Sequence, residues 1–339
     1  MTNPVLVEVT RGGAVESYHR GAYVVANAKG DILASAGDIE ALVFPRSAIK
    51  AFQALPLLES GAADAYGFTQ AEIALACASH GGEPAHVAAA SAMLGKIGLA
   101  VSDLECGAHW PSWPKAATDL GLSGAQPSAL HNNCSGKHAG MLAFAKYIGA
   151  EPHGYVDRDH PVQREVAAVL GTMCDCDLDA VPCGIDGCSV PTWAIPLHNL
   201  AMGFARLATP ESLSHERAEC VRQIFAAAAA EPFMIAGTKR FCTRVMRGVP
   251  RVFVKTGAEG VFCGCVPHAG LGIALKCDDG TTRAAEAIMA AVLSRLGALT
   301  GAERGILAGF EKAPLENRRG IHVGDVCSVS EAFEDVRTS

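Results

Sequence analysis

Ser47 and Lys50 stand three residues apart, a spacing that on a helix brings both side chains onto one face within hydrogen-bond reach. A serine hydroxyl is a poor nucleophile until a base takes its proton. A lysine serves as that base only if burial or a neighbouring cation lowers its pKa from ~10.4 toward neutrality. Lys255, in the run Lys255-Thr256-Gly257, is a second cation of the kind required. The chemistry these residues point to is acyl transfer on an amide.

The spacing alone is not specific, since Ser112 and Lys115 share it and Ser135 and Lys137 lie two apart. The plain alternative for Ser47 is a helix-start serine with a solvated lysine one turn on. The surroundings argue against it. Val43, Phe44 and Pro45 lead in, and Ala48, Ile49, Ala51, Phe52, Ala54 and Leu55 surround Lys50, so this helix is expected to be buried. An unpaired buried charge is costly, so a buried lysine needs a reason. Serine–lysine followed far downstream by Lys-Thr-Gly is also the motif order of penicillin-recognising serine enzymes.

A second constellation runs from His131 to Gly140 and packs Asn132, Asn133, Cys134, Ser135, Lys137 and His138 just before an apolar helix. Backbone N–H groups at a helix start favour anions, a thiolate among them. A third is the turn-rich Asp186-Gly187-Cys188-Ser189-Val190-Pro191. Cys134 and Cys188 are candidate partners across space, and two thiolates with nitrogen donors would suit zinc. Two buried cysteines, or Cys134 as a nucleophile with His138 as base, are the alternatives. A fourth is Ser79-His80-Gly81-Gly82-Glu83, where the glycines let backbone approach a ligand. Cys174-Asp175-Cys176 is a close pair on an expected helix end, open to adventitious metal.

These side chains need elements to hold them. The start reads as strands: Val5 to Val9 alternates, Arg11-Gly12-Gly13 turns, and Lys29-Gly30-Asp31 sits between two strands as a hairpin signal. Helical spacing then dominates near 47–60, 70–78, 84–98, 135–148, 161–173 and 211–230. Strands return over about 251–276, an amphipathic helix covers 281–298, and Val323 to Val329 is placed to close the sheet. The order predicts an α+β fold. Its antiparallel sheet would come from N- and C-terminal segments (about 1–60 and 235–339). A mainly helical lobe (61–234) would complete one catalytic unit of two inseparable lobes, with the site in the cleft between them.

The chain has 339 residues, half of them hydrophobic and 19% charged, so a sizeable core is available. A net charge of −7 without a basic block argues against nucleic acid and anionic membranes as partners. No apolar stretch of about 18 residues suggests a membrane span. The N-terminus lacks the pattern of an export signal, so a cytoplasmic location is expected. The thirteen cysteines are an odd number. In a reducing compartment they read as buried thiols, ligands or nucleophiles before disulfides.

Together, Arg11-Gly12-Gly13, Arg46-Ser47-Ala48-Ile49-Lys50, Ser79-His80-Gly81-Gly82-Glu83, Asn133-Cys134-Ser135-Gly136-Lys137-His138, Asp186-Gly187-Cys188-Ser189-Val190-Pro191 and Lys255-Thr256-Gly257-Ala258-Glu259-Gly260 resemble the Rhizobium etli-type L-asparaginases. The resemblance covers nearly the whole chain. It implies a fold similar to serine β-lactamases and penicillin-binding proteins, a homodimer, and hydrolysis of L-asparagine to L-aspartate and ammonia. It further implies two serine–lysine tandems, Ser47 with Lys50 and Ser79 with Lys255. A zinc ion would be held by Cys134, Lys137, Cys188 and water. Substrate contacts would come from Arg46, His80, Glu83, His138, Asp186 and Gly257. A lysine ligand must be neutral to donate its lone pair. A glutaminase, a β-lactamase or peptidase, and a non-enzymatic zinc or amino-acid sensor are the competing functions.

Overall fold

The computed structural model describes residues 2–296 and 299–336. The chain divides into two compact units, one of Met1–Ala48, Ala194–Thr209 and Gly248–Ser339, the other of Ile49–Trp193 and Pro210–Arg247. The helical unit therefore begins earlier than the expected boundary near residue 60. The segment 194–209, expected among the helices, groups with the sheet.

The first unit is built on an antiparallel sheet of eight strands. Its spatial order is Lys312–Glu316, His322–Ser328, Val5–Arg11, Ala14–Asn27, Leu271–Cys277, Val261–Val266 and Phe253–Thr256, with Ile32–Ala36 also pairing on Ala14–Asn27. The α+β expectation is borne out: the two chain ends do share one antiparallel sheet. The strand expected to close the sheet lies one place in, because Lys312–Glu316 covers its outer edge. The long strand Ala14–Asn27 changes partners along its length. Up to Arg20 it pairs with Val5–Arg11, and from Gly21 onward with Leu271–Cys277. The change falls at a glycine because a Cβ on Gly21 would sit 2.4 Å from the Lys276 carbonyl oxygen.

The helix Leu197–Ala208 packs on this sheet against Ala14–Asn27, Leu271–Cys277 and Val261–Val266. It comes so close at Gly272 that a Cβ there would lie 2.0 Å from the Ala201 carbonyl oxygen. The helix Thr282–Arg295 packs against the sheet as well, its middle almost wholly buried. Residues 297 and 298 of the expected helix fall outside the described residues.

The second unit is mainly helical. The helix Gln70–Ala76 starts on a reciprocal cap that the sequence spells as Thr-x-x-Glu. Glu72 N–H donates to Thr69 Oγ1 and Thr69 N–H donates to Glu72 Oε2. Pro84 opens Pro84–Lys96 and Pro161 opens Pro161–Cys174, the position where a missing N–H costs nothing. The buried helix Ser135–Tyr147 packs against Gln70–Ala76 and Pro84–Lys96. A short hairpin, Cys183–Ile185 with Pro191–Trp193, completes the unit. No helix among the described residues is long and apolar enough to cross a membrane.

Candidate active site

In the helical unit, Lys50 opens the short helix Lys50–Gln53 and is 1% exposed. Moving an ammonium out of water costs several kcal/mol even after the protein relaxes, so its surroundings must answer it. They do: Lys50 Nζ donates to Ser79 Oγ at 2.9 Å, to Cys134 Sγ at 3.0 Å and to the carbonyl oxygens of Ala78 and Asn133. Three of the sequence motifs thus converge on one amine.

The Ser79–Glu83 loop leaves the helix Gln70–Ala76 and is pinned at both ends. Ser79 N–H donates to Ile235 O, and His80 N–H donates to Asn133 O. His80 is fully buried, and burial first, with the positive charges of His86 and Lys50 after it, drives its pKa far below the ordinary histidine value. His80 Nδ1 accepts from the Gly82 N–H, so the ring proton sits on Nε2 and donates to Ser135 Oγ at 2.9 Å. Ser135 in turn donates to Leu130 O. Glu83 accepts from Thr238 through both oxygens, N–H to Oε1 at 2.7 Å and hydroxyl to Oε2 at 2.6 Å. In this arrangement it clamps the loop to 237–238.

Cys134 immediately precedes the helix Ser135–Tyr147. Lys137, one turn in, is 3% exposed and donates to Cys188 Sγ at 3.0 Å. Cys188 comes from the turn of the Cys183–Trp193 hairpin, where its Sγ lies 3.2 Å from Asp186 Oδ2. A hydrogen bond from Cys188 holds the Cys134 thiol far below its ordinary range, against burial, and the Lys50 and Lys137 ammonium groups add to the effect. Cys188 is pushed up correspondingly, so the pair holds one thiolate between two cations. Burial pulls Lys137 down, but Cys188, Cys134 and Asp186 together outweigh it and raise its pKa.

Two sulfurs and a lysine amine, buried and in mutual contact, form a donor set that fits zinc. Among the described residues no group of three or more His, Cys, Asp or Glu side chains gathers for a metal. Zinc bound here would take Lys137 as its third protein donor, and Lys137 would have to give up its proton to coordinate.

His138 is tied elsewhere. Tyr155 Oη accepts from the Glu105 N–H and donates to His138 Nδ1 at 2.6 Å. The ring proton is then on Nε2, which is buried with no hydrogen-bond partner among the described residues. Burial, with Lys137 and Lys50 behind it, depresses the His138 pKa strongly. A Cys134–His138 nucleophile–base pair is not formed.

In the sheet unit, Lys255 lies on Phe253–Thr256, is 1% exposed, and donates to Thr256 O. Gly257 follows, so close to Pro45 that a Cβ would meet its carbonyl oxygen at 2.6 Å. The Lys-Thr-Gly segment thus packs beside the residue that leads into Arg46 and Ser47. Arg46 has φ +52°, a left-handed backbone rare for a branched-out side chain, and Ser47 is half-buried. Strain of this kind gathers at functional sites.

Sequence reasoning gave Asn132 no role of its own and passed over His109 and Thr238. Asn132 Nδ2 donates to Cys106 O and Gly107 O while its Oδ1 accepts the Cys134 N–H. His109 Nε2 accepts the Asn133 N–H at 2.9 Å. Asn132 had a signal, standing inside the reactive stretch; His109 and Thr238 had none.

Comparison with known proteins gives a family. No protein of curated function matches the chain. Among solved structures, the native form of Mglu aligns at 15% identity and a TM-score of 0.45, covering 80% of this chain and 62% of that one. A β-lactamase from Mycobacterium bovis aligns at 15% identity and a TM-score of 0.38, covering 86% and 94%. This chain thus spans less than two thirds of the Mglu chain. The family model described as L-asparaginase II matches residues 7–328, almost the full length. The chain belongs to the L-asparaginase II family.

Proposed function

We propose that this protein is an amidohydrolase that converts L-asparagine to L-aspartate and ammonia. The observation that carries the reading is Lys50: a buried amine with Nζ 2.9 Å from a serine hydroxyl, in a chain of this family. In the mechanism, Ser47, one helical turn before Lys50 in sequence, is the nucleophile. Lys50 in its neutral form takes the serine proton, and Ser79 completes the hydrogen-bonded relay. The Ser47 Oγ–carbon bond forms at the side-chain amide, backbone N–H groups hold the oxyanion, and the carbon–nitrogen bond breaks as the proton passes to ammonia. Water then cleaves the ester and restores the serine.

Arg46, His80, Asp186 and Gly257 are assigned to substrate placement, and Lys255 is the second cation of the serine–lysine chemistry. Cys134, Lys137 and Cys188 would hold the zinc ion. When bound, zinc supplies a charge that orients the substrate's α-amine and carboxylate. The homodimer and the cytoplasmic location implied by the resemblance belong to the same proposal.

One observation favours a second reading of the nucleophile: Ser79, not Ser47, is the serine hydrogen-bonded to Lys50. Against it, Ser79 is 5% exposed, whereas Ser47 is only half-buried. Trapping separates the two. An ester intermediate, seen by intact-protein mass spectrometry with a slow substrate, is expected to vanish in Ser47→Ala and persist in Ser79→Ala. The reverse pattern moves the nucleophile to Ser79.

The reading itself is tested by ammonia release from L-asparagine and L-glutamine side by side, before and after chelation. Release from asparagine is expected. One extra methylene is worth only ~1–3 kcal/mol of discrimination, so glutamine should be slower by a factor and not silent. Silence on both substrates with metal loaded would remove the asparaginase assignment and promote the sensor or peptidase reading.

A further inference from the structure

The turn Cys106–Trp110 carries no residue assigned to the chemistry, yet it grips the stretch that does. Asn132 Nδ2 binds the carbonyls of Cys106 and Gly107, and His109 binds the backbone of Asn133. Both His109 nitrogens are in use. Nδ1–H donates to Trp110 O at 2.8 Å, and Nε2 accepts the Asn133 N–H at 2.9 Å. Asn133 is the residue on which the site's partners meet. Its carbonyl accepts from His80 N–H and Lys50 Nζ, and its side-chain oxygen lies 3.0 Å from Cys134 Sγ.

We propose that His109 is a positioning residue for the Lys50 site. Through the Asn133 N–H it fixes the 132–133 peptide, and with it the residue whose main-chain and side-chain oxygens face Lys50, His80 and Cys134. It touches no substrate. It acts by anchoring the backbone at Asn133, whose carbonyl accepts from the His80 N–H at 3.2 Å and stands 3.5 Å from Lys50 Nζ. The kinetic consequence rests on the amidohydrolase reading, while the structural one does not.

The test compares His109→Gln with His109→Leu. Glutamine puts an amide oxygen near the place of Nε2 and keeps the acceptor. Leucine keeps bulk and loses it. Three readouts are taken: kcat and KM for ammonia release, exchange of the Asn133 amide hydrogen, and Tm. The Leu variant is expected to lose about tenfold in kcat with KM within about twofold, the effect of one misplaced hydrogen-bonded group. Its Asn133 amide should exchange faster. The Gln variant should match the wild type in both. If the Leu variant does not fold, His109→Ala replaces it in the same comparison. A Leu variant with wild-type kcat and a protected Asn133 amide overturns the proposal. So does a Gln variant as impaired as the Leu variant at wild-type Tm. A wild type silent on asparagine would end the amidohydrolase reading alone, and the exchange comparison would still decide the role of His109.

Discussion

Lys50→Met is expected to lower kcat for ammonia release about a thousandfold, the range that a positioned base contributes. Methionine nearly matches the lysine stem in length and is at ease in the apolar surroundings of Ala51, Phe52 and Leu55. What it cannot do is accept a proton or donate to Ser79 Oγ, Ala78 O and Cys134 Sγ. Losing the donor leaves a buried carbonyl short of a partner, at about 1–3 kcal/mol. Methionine itself needs no hydrogen-bond partner there, which returns part of that cost. Activity should therefore fall far more than stability. Steady-state kinetics with a Tm on the same sample checks this. A folded Lys50→Met protein within tenfold of the wild-type kcat, about 1.4 kcal/mol in barrier, would show that Lys50 is not the base.

Lys50 also shows how far the sequence could be read. Apolar neighbours on every side predicted a buried amine, and the amine is buried. Order along the chain predicted which segments form the sheet, because alternating residues and glycine turns are local signals. The helices Leu197–Ala208 and Gly301–Glu311 and the edge strand Lys312–Glu316 were not read, although Thr300-Gly301-Ala302-Glu303 spells a reciprocal cap at the start of the second helix. Within the site, residue types gave the groups but not their pairing. The hydrogen bond between Ser79 and Lys50 was not among the tandems that the resemblance implied. Helical spacing reports only neighbours within a turn or two, whereas Lys50 and Ser79 lie 29 residues apart, joined by the packing of separate helices. The Glu83 clamp on Thr238 spans 155 residues, and no local pattern encodes it.

Gly136→Ala should destabilise the protein by about 3 kcal/mol, the upper part of the usual range for overpacking. Gly136 sits in the first turn of Ser135–Tyr147, where it packs against the end of Gln70–Ala76. A Cβ there would lie 2.4 Å from both the carbonyl oxygen and Cγ of Leu75. A flexible side chain could move aside, but a backbone carbonyl cannot without shifting its helix. Each of these helices carries part of the site. Gln70–Ala76 runs on into Ser79, and Ser135–Tyr147 begins after Cys134 and holds Lys137 one residue beyond the glycine. Forcing the helices apart by even a few tenths of an ångström lengthens the contacts of Lys50 Nζ, which bonds to both Ser79 and Cys134. The variant should therefore lose kcat as well as Tm, although no reacting group has been changed. Denaturant unfolding and kcat on the same preparation test the two together. Wild-type stability in Gly136→Ala would mean that the helices yield freely at this point. Unaltered kcat at reduced stability would mean that the Lys50 geometry is set by something other than this contact.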